Sequence, residues 1–178
     1  MIQVRPALDA DPAAIARAQV AAWHEAYAGL IPAAYLADYT VPMRTERWQR
    51  ILRAPLPGGV TVVGEVDGVV EGFASIAVAR DEDVVGAELA ALYVHPTRWG
   101  TGLGHALHEA ALAQVVAAGH SRAVLWVLEE NVRARSFYER HGWRPDGSRK
   151  VKYFAGASVA EVRLARGLYR HATGQDPG

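Results

Sequence analysis

A glycine-rich segment at residues 94–104 constrains the fold of this chain more than any other feature. It joins an apolar run that ends at Val94 to a helix predicted to end near Ala118, and it reads Val-His-Pro-Thr-Arg-Trp-Gly-Thr-Gly-Leu-Gly. Alternating glycines allow a tight turn and bring backbone N–H groups close to a ligand. Because a helix N-terminus adds partial positive charge, the segment predicts a strand–loop–helix unit that binds a pyrophosphate.

Two common glycine loops do not fit this segment. A P-loop ends in Gly-Lys-Ser or Gly-Lys-Thr, and that ending is missing here. A Rossmann loop follows the first strand of a βαβ unit and is spaced G-x-G-x-x-G. Here the glycines are Gly100, Gly102 and Gly104, far from the N-terminus. On this segment alone, a helix entry with incidental glycines stays open as the alternative.

Strand and helix patterns alternate along the rest of the chain. Asp67-Gly68 separates two β-rich runs and predicts a two-residue hairpin. The run Ala123–Leu128 is continuously apolar, as expected of a buried strand. The order of strand, helices, several strands, helix, strand, helix and strands predicts an α/β fold with a mixed sheet.

The length of 178 residues suits a single domain with one core, residues 1–178. Within it we expect a frayed polar tail at 171–178 and three parts: an N-terminal helical region at about 10–54, a core at about 60–145 and C-terminal strands at about 148–166.

Composition excludes several classes of function. Lys plus Arg and Asp plus Glu are both 19, so no net charge draws the chain to nucleic acid or to a membrane. The absence of cysteine excludes disulfides, thiol nucleophiles and cysteine-ligated zinc. His105 and His108 lack supporting carboxylates, so no metal site is predicted. Without a secretory signal or an apolar run of about 20 residues, the predicted location is the cytoplasm.

The residues around the glycine loop resemble a known motif. Glu88-Leu89 through Val94-His95-Pro96, followed by residues 99–104, is similar to the acetyl-CoA motif of GCN5-related N-acetyltransferases (GNAT). That motif is written Gln/Arg-x-x-Gly-x-Gly/Ala, and Trp99 stands here in place of Gln or Arg. A second segment resembles the same family through Asn131, Phe137-Tyr138 and Gly142-Trp143. Together the two segments span about residues 86–145.

The resemblance implies a GNAT fold, a mixed twisted sheet flanked by helices whose central parallel strands splay apart. Acetyl-CoA is then the co-substrate, with its pantetheine arm beside the exposed backbone of one splayed strand and its pyrophosphate on the glycine loop. The implied cofactor-binding residues are Leu92, Tyr93, Val94, Arg98, Trp99, Gly100, Thr101, Gly102, Leu103, Gly104 and Asn131.

The resemblance also implies direct acetyl transfer to an amine, without a covalent enzyme intermediate. Glu88 matches the family's general base, and Tyr138 matches the tyrosine that protonates the departing thiolate. A solvent-facing glutamate at a strand start and a packed aromatic are the structural alternatives for these two residues.

The acceptor side is less specified. Trp23, Tyr27, Tyr35 and Trp48 lie in the region that covers the acceptor cleft in the family, or they simply pack helices on the sheet. Glu161 and Arg163 alternate onto one side of the last strand, where they bind a polar acceptor, supply a second base or form a cross-strand ion pair.

Several functional questions stay open on the sequence. The acceptor is a small amine, an amino acid, an antibiotic or a peptide amine. A non-catalytic acyl-CoA-binding or sensor module on the same fold is the alternative function, and a scaffold without cofactor affinity is a third. The family also makes a homodimer plausible.

Overall fold

The computed structural model describes residues 1–168, so the tail predicted to fray lies outside the described residues. One seven-stranded sheet forms the centre of the molecule. In chain order the elements are β1 (Ile2–Pro6), α1 (Pro12–Ala26), α2 (Ala33–Asp38), α3 (Val41–Arg53), β2 (Val60–Val66), β3 (Val69–Val78), β4 (Ala87–Val94), a 3-10 turn (Pro96–Arg98), α4 (Leu103–Ala117), β5 (Arg122–Leu128), α5 (Val132–Arg140), β6 (Arg144–Phe154) and β7 (Ala157–Gly167).

The sheet is mixed, and its strand order is β1-β2-β3-β4-β5-β7-β6. All neighbouring strands are antiparallel except β4 and β5, which are parallel. Those two strands pair only where they begin, at Ala87 with Ala123 and at Glu88 with Val124. Beyond these pairs they separate towards Val94 and Leu128. The predicted α/β fold with splayed central parallel strands is therefore confirmed.

The β2–β3 hairpin forms where its turn signal predicts it. Asp67 has a φ of 51° and Gly68 a φ of 82°. A two-residue turn of type I′ needs positive φ at both positions, which Asp tolerates and Gly adopts freely. The turn fixes the register that pairs Val66 with Val69.

Helices cover both faces of the sheet because neighbouring strand residues point to opposite sides. Val62 and Ala74 pack with the apolar side of α4, where Leu107 is fully buried. Val63 and Phe73 face the other way and pack against α1 and α3. No helix within residues 1–168 combines the length and apolar character needed to cross a bilayer.

The strand β6 begins earlier than the sequence pattern predicts, at Arg144 instead of about 148. Its first residues, Arg-Pro-Asp-Gly-Ser, have low strand propensity, and the pairing with β7 shifts register between Pro145 and Arg149. Pairing with β7 holds this polar segment extended at the edge of the sheet. Tertiary pairing outweighs local preference here.

Candidate active site

A cleft of about 500 Å³ opens where β4 and β5 separate. Residues from α1, both splayed strands, the glycine loop, α5 and the last two strands line it, so it lies in the gap of the sheet between β4 and β5. It has two ends of different chemistry. The glycine loop and α5 form a phosphate end, lined by Arg98, Trp99, Gly100, Gly102, Gly104, His105, Asn131, Arg133 and Arg140. An acceptor end includes Trp23, Tyr27, Arg80, Glu88, Trp126, Lys150, Lys152, Phe154 and Glu161.

The glycines of the phosphate end leave open space. Gly100 and Gly102 have φ values of 78° and 92°, which L side chains rarely adopt. A Cβ atom at either position would meet no atom within 4 Å. Gly102 is also the N-cap of α4, where free backbone N–H groups and the helix dipole favour an anion. The loop is therefore a suitable cradle for a pyrophosphate.

Trp99, which stands in place of the family's Gln or Arg, carries a cation on its ring. Its indole N–H donates to the carbonyl oxygen of Val94 at 2.7 Å, which fixes the ring. The guanidinium carbon of Arg133 lies 3.1 Å from the ring centroid. Arg133 is not among the residues predicted from the sequence, because nothing in the spacing shows that α5 reaches the glycine loop. Arg98, which is among them, lines the cleft and pairs with Glu71 at 3.2 Å.

Two of the predicted cofactor residues offer only their backbone to a ligand. The side chain of Leu103 is fully buried in the core beneath α4. The hydroxyl of Thr101 donates to the carbonyl oxygen of Arg98 at 2.8 Å, and Thr101 is not part of the cleft lining. The other predicted residues all line the cleft, including Leu92, Tyr93 and Val94 on β4.

Tyr138 places a hydroxyl in the middle of the cleft. The residue is buried on α5, and its hydroxyl has no hydrogen bond to a partner within residues 1–168. Burial raises the pKa of Tyr138 above its ordinary value of 10.0, so the phenol stays protonated at neutral pH. Nearby, the side-chain oxygen of Asn131 accepts from the backbone N–H of Ala134 at 3.1 Å, as expected of a helix cap.

Glu88 is 4% exposed at the start of β4 and does not face bulk solvent. Arg80 donates to its two carboxylate oxygens at 3.0 and 2.7 Å. This bidentate ion pair fixes the carboxylate at the base of the cleft. No sequence pattern indicates Arg80 as the partner of Glu88, because Arg80 lies in the turn between β3 and β4.

Glu161 and Arg163 have different surroundings although they share one side of β7. Glu161 is 6% exposed and lines the cleft, beside Leu128 at the end of β5. Arg163, 4% exposed, does not line the cleft. Its guanidinium forms ion pairs with three carboxylates, those of Asp81, Asp83 and Asp146. Both residues therefore form ion pairs: Arg163 with the three carboxylates, and Glu161 across the strands with Lys150 and Lys152 of β6. Of the two, only Glu161 also lines the cleft.

The four N-terminal aromatics divide in the same way. Trp23 and Tyr27 line the cleft, and the hydroxyl of Tyr27 lies 3.4 Å from that of Tyr93. Tyr35 packs against Phe154, with ring centroids 5.0 Å apart. Trp48 is a core residue: its ring packs on Phe73 with centroids 4.8 Å apart, and its indole N–H donates to Gln19 at 2.7 Å.

Three histidines, His105, His108 and His141, form a side-chain cluster. Within residues 1–168, no group of three or more His, Asp or Glu side chains is arranged to hold a metal ion. His108 is fully buried, and its Nε2 accepts from the indole N–H of Trp143 at 2.9 Å. Its Nδ1 lies 2.9 Å from a carboxylate oxygen of Glu109. His105 and His141 approach each other at 3.0 Å beside the phosphate end.

A second depression, of about 740 Å³, lies between α1 and α2. It is open and largely apolar, and His24 is its only titratable lining residue. Because no set of acids, bases or phosphate-binding groups meets there, the splayed cleft is the candidate active site.

Comparison with known proteins agrees with this geometry. The uncharacterized N-acetyltransferase YuaI of Bacillus subtilis is 32% identical over 167 residues, 92% of each chain. An uncharacterized N-acetyltransferase of Mycobacterium tuberculosis is 36% identical over 86 residues, 48% of this chain and 53% of that protein.

Two solved structures share the fold. The Salmonella typhimurium protein yncA, solved with its cofactor acetyl-CoA, superposes with a TM-score of 0.72 at 21% identity and covers 98% of both chains. The PaiA N-acetyltransferase of Thermoplasma acidophilum, solved with coenzyme A, has a TM-score of 0.70 at 18% identity and covers 94% of this chain and 99% of that one. At such identities these likenesses bear on the fold alone. The sequence model of the acetyltransferase (GNAT) family matches residues 22–143, across the splayed strands and the glycine loop, and the chain therefore belongs to that family.

Proposed function

We propose that this protein is an N-acetyltransferase that moves the acetyl group of acetyl-CoA directly to an amine. The observation that carries the proposal is the cleft between the splayed strands, with an open glycine cradle at one end and buried carboxylates at the other. A thioester held along the cleft would have its phosphates and its acetyl group at these different ends. The solved relatives that contain acetyl-CoA or coenzyme A support the same co-substrate.

The phosphate end supplies backbone donors and three cations. The first N–H groups of α4 have no intrahelical acceptor, and open space surrounds Gly100 and Gly102 beside them. Arg98, Arg133 and Arg140 add positive charge around that space. On β4, the backbone from Leu92 to Val94 pairs with β3 on one side and has no strand partner on the side towards β5, where its free groups can pair with the amide groups of the pantetheine arm.

The chemistry needs one base and one acid. The amine nitrogen attacks the thioester carbonyl carbon, so a C–N bond forms as the C–S bond breaks. The hydroxyl of Tyr138 protonates the thiolate that leaves, and its raised pKa keeps that proton available. Glu88 takes a proton from the amine through a water molecule. A carboxylate has about four lone-pair sites, so the two donors of Arg80 leave room for that water.

A titration with acetyl-CoA tests the cofactor site. Wild-type protein should bind acetyl-CoA saturably in a calorimeter, and Gly102→Trp should lose at least about a hundredfold in affinity, because the indole would fill the pyrophosphate cradle. Gly119→Trp is the matched control. Gly119 lies just beyond the other end of α4, with a φ of 86° and the same open space around it, so its variant carries similar backbone strain and should keep wild-type affinity.

Turnover separates the enzyme from an acyl-CoA sensor. CoA release that depends on an added amine, with loss in Tyr138→Phe, supports the transferase. Tight acetyl-CoA binding without release of CoA in any amine would favour the non-catalytic module. Failure of the folded wild type to bind acetyl-CoA would refute both.

A further inference from the structure

We propose that the acceptor is a zwitterion: its ammonium group binds Glu161, and an anionic group on the same molecule binds the lysine pair Lys150 and Lys152. This inference rests on the proposed acetyl transfer and assigns the acceptor end of the same cleft. It makes Glu161 the residue that receives the ammonium group. The nitrogen must lose a proton before it can attack, and Glu88 takes that proton through water and releases it to solvent. The proton that the nitrogen loses as the amide forms offsets the one that Tyr138 gives to the thiolate.

Glu161 has a carboxylate oxygen without a hydrogen-bond donor. The residue is 6% exposed, and its Oε2 is buried with no hydrogen bond. Lys152 donates to the other oxygen, Oε1, at 3.3 Å, and Lys150 forms an ion pair with Oε2 at 3.7 Å, which is too long for a hydrogen bond. A buried carboxylate oxygen without a donor is costly, so its presence at a cleft wall indicates that a ligand supplies the donor. An ammonium group has the charge and the N–H donors for that place.

Glu88 does not offer the same opening. Arg80 occupies both of its oxygens in a bidentate pair. An incoming ammonium would have to compete with a guanidinium whose geometry matches the carboxylate. Of the two carboxylates at the acceptor end, Glu161 is therefore the one that lacks a donor for one oxygen.

Lysine is used nowhere else in this chain. Of the 19 basic residues that are Lys or Arg, only Lys150 and Lys152 are lysines. Both line the cleft from β6, where Lys150 pairs directly opposite Glu161. Their strand neighbours Val151 and Tyr153 are exposed on the other side. The alternation of the strand thus points both ammonium groups at the ligand space.

Each lysine keeps donors for a ligand. An ammonium group has three N–H donors, and Lys152 uses one of them on Glu161. The ammonium of Lys150 also lies 3.8 Å from the ring centroid of Trp126, which holds it at the cleft wall.

The charge balance at the acceptor end favours an anionic group. Three cations, Arg80, Lys150 and Lys152, line it together with two carboxylates, Glu88 and Glu161. An acceptor that brought only an ammonium group would raise the positive excess in a partly desolvated cleft. An acceptor that also carries a carboxylate or a phosphate returns the balance and gives the lysines a second anionic partner besides Glu161.

The test compares amines that differ only in the anionic group. The pairs are phenylalanine with phenethylamine, alanine with ethylamine, and phosphoethanolamine with ethanolamine, each assayed for CoA release with saturating acetyl-CoA. We expect the member with the anionic group to have a kcat/KM at least about tenfold higher in one or more pairs, since a charge-assisted contact is worth about that factor. The phosphate pair distinguishes phosphate from carboxylate as the group that is bound.

Variants assign the preference to its residues. Lys152→Met should raise KM about tenfold for the member with the anionic group. It should change KM much less for the member without that group, where Lys152 acts only through its contact with Glu161. The matched control is Arg149→Met, which removes a cation at a neighbouring position of β6 that pairs with Glu129 outside the cleft. It should change neither value. Glu161→Gln should raise KM for both members of a pair about 10- to 100-fold with kcat less affected, whereas Glu88→Gln should lower kcat.

Unchanged acetyl-CoA affinity of each variant, by calorimetry, shows that the fold and the phosphate end are intact. The zwitterion proposal would be overturned if every amine without an anionic group had an equal or higher kcat/KM than its partner, or if the preference survived in Lys152→Met. Either result would leave the proposed acetyltransferase activity standing. Binding of acetyl-CoA without turnover of any of the six amines would also overturn the zwitterion proposal. It would count against the acetyltransferase proposal only after amines of other classes, without an anionic group, had also failed.

Discussion

The two ends of the cleft are built in different ways. The phosphate end comes mainly from one continuous stretch, the end of β4, the glycine loop and the start of α4, and it offers mostly backbone groups. The acceptor end is assembled from side chains of α1, the β3–β4 turn, the start of β4, β5, β6 and β7. A backbone cradle needs glycines at fixed spacing, so it leaves a pattern in the sequence. A cluster of distant side chains leaves none.

The two ends are also stabilised differently. Beneath the phosphate end, α4 packs on the sheet through a large apolar cluster, and His108 and Trp143 form a buried hydrogen bond within it. At the acceptor end, one buried guanidinium, that of Arg163, joins the β3–β4 turn to β6 through three carboxylates. A substitution beneath the phosphate end should therefore affect the binding of acetyl-CoA more than that of the amine, and a substitution at Arg163 should do the reverse.

Tyr138 lies between the two ends and should affect neither binding step. Tyr138→Phe removes only a hydroxyl that has no hydrogen-bond partner within residues 1–168, so the fold loses little. Without the proton donor, kcat should fall by about a hundredfold to a thousandfold, while acetyl-CoA affinity and amine KM stay near wild type. Steady-state kinetics and calorimetry measure the three quantities. A kcat within a factor of three of wild type would show that water or another group protonates the thiolate.

Low pH should reduce the free energy of unfolding through protonation of His108, which is buried beneath the phosphate end. Burial lowers the pKa of His108 from 6.5 to about 4, so folding favours the neutral ring. The resulting stability is fully present above pH 6.5 and is lost as the pH falls towards 4, by about 3 kcal/mol in the free energy of unfolding, since each pKa unit is worth about 1.4 kcal/mol.

Denaturant unfolding between pH 7 and pH 4 measures this loss. His108→Gln, which cannot titrate, should show a shallower pH dependence than wild type. The control His120→Gln removes a histidine without a hydrogen bond to its ring within residues 1–168 and should keep the wild-type slope. Identical slopes in all three proteins would mean that the buried histidine does not control acid stability.

The smallest effect is expected at Arg163. Arg163→Met removes the shared partner of three carboxylates, of which Asp83 is largely exposed and can return to water. The free energy of unfolding should drop by about 2 kcal/mol, and the KM of the amine should rise while acetyl-CoA affinity holds. Arg122→Met, at a surface pair with Asp146, is the control and should cost less than about 1 kcal/mol. An equal loss of affinity for acetyl-CoA would show that the two ends are not independent.

Much of the fold was predictable because its signals are local. The hairpin at Asp67-Gly68 and the buried strand β5 formed as predicted, and β4 and β5 splay apart as the family resemblance implied. The start of β6 was not predictable in this way. The sequence pattern places it at about residue 148, whereas the strand begins at Arg144 because its polar first residues pair with β7. In the same way, the sequence indicated Glu88 and Tyr138 as candidates, whose roles stay proposals, but not Arg80 or the lysine pair.

The sequence by itself determined the family, the α/β architecture and the glycine-rich strand–loop–helix unit, because glycine spacing and apolar periodicity act over a few neighbouring residues. The tertiary structure alone decided which charged side chains meet. It joined Arg80 to Glu88, set Arg163 among carboxylates, and left one oxygen of Glu161 without a donor beside the chain's only lysines. The reason is physical: a strand presents its side chains by alternation, but which side chains they face depends on the strands and turns that pack beside it.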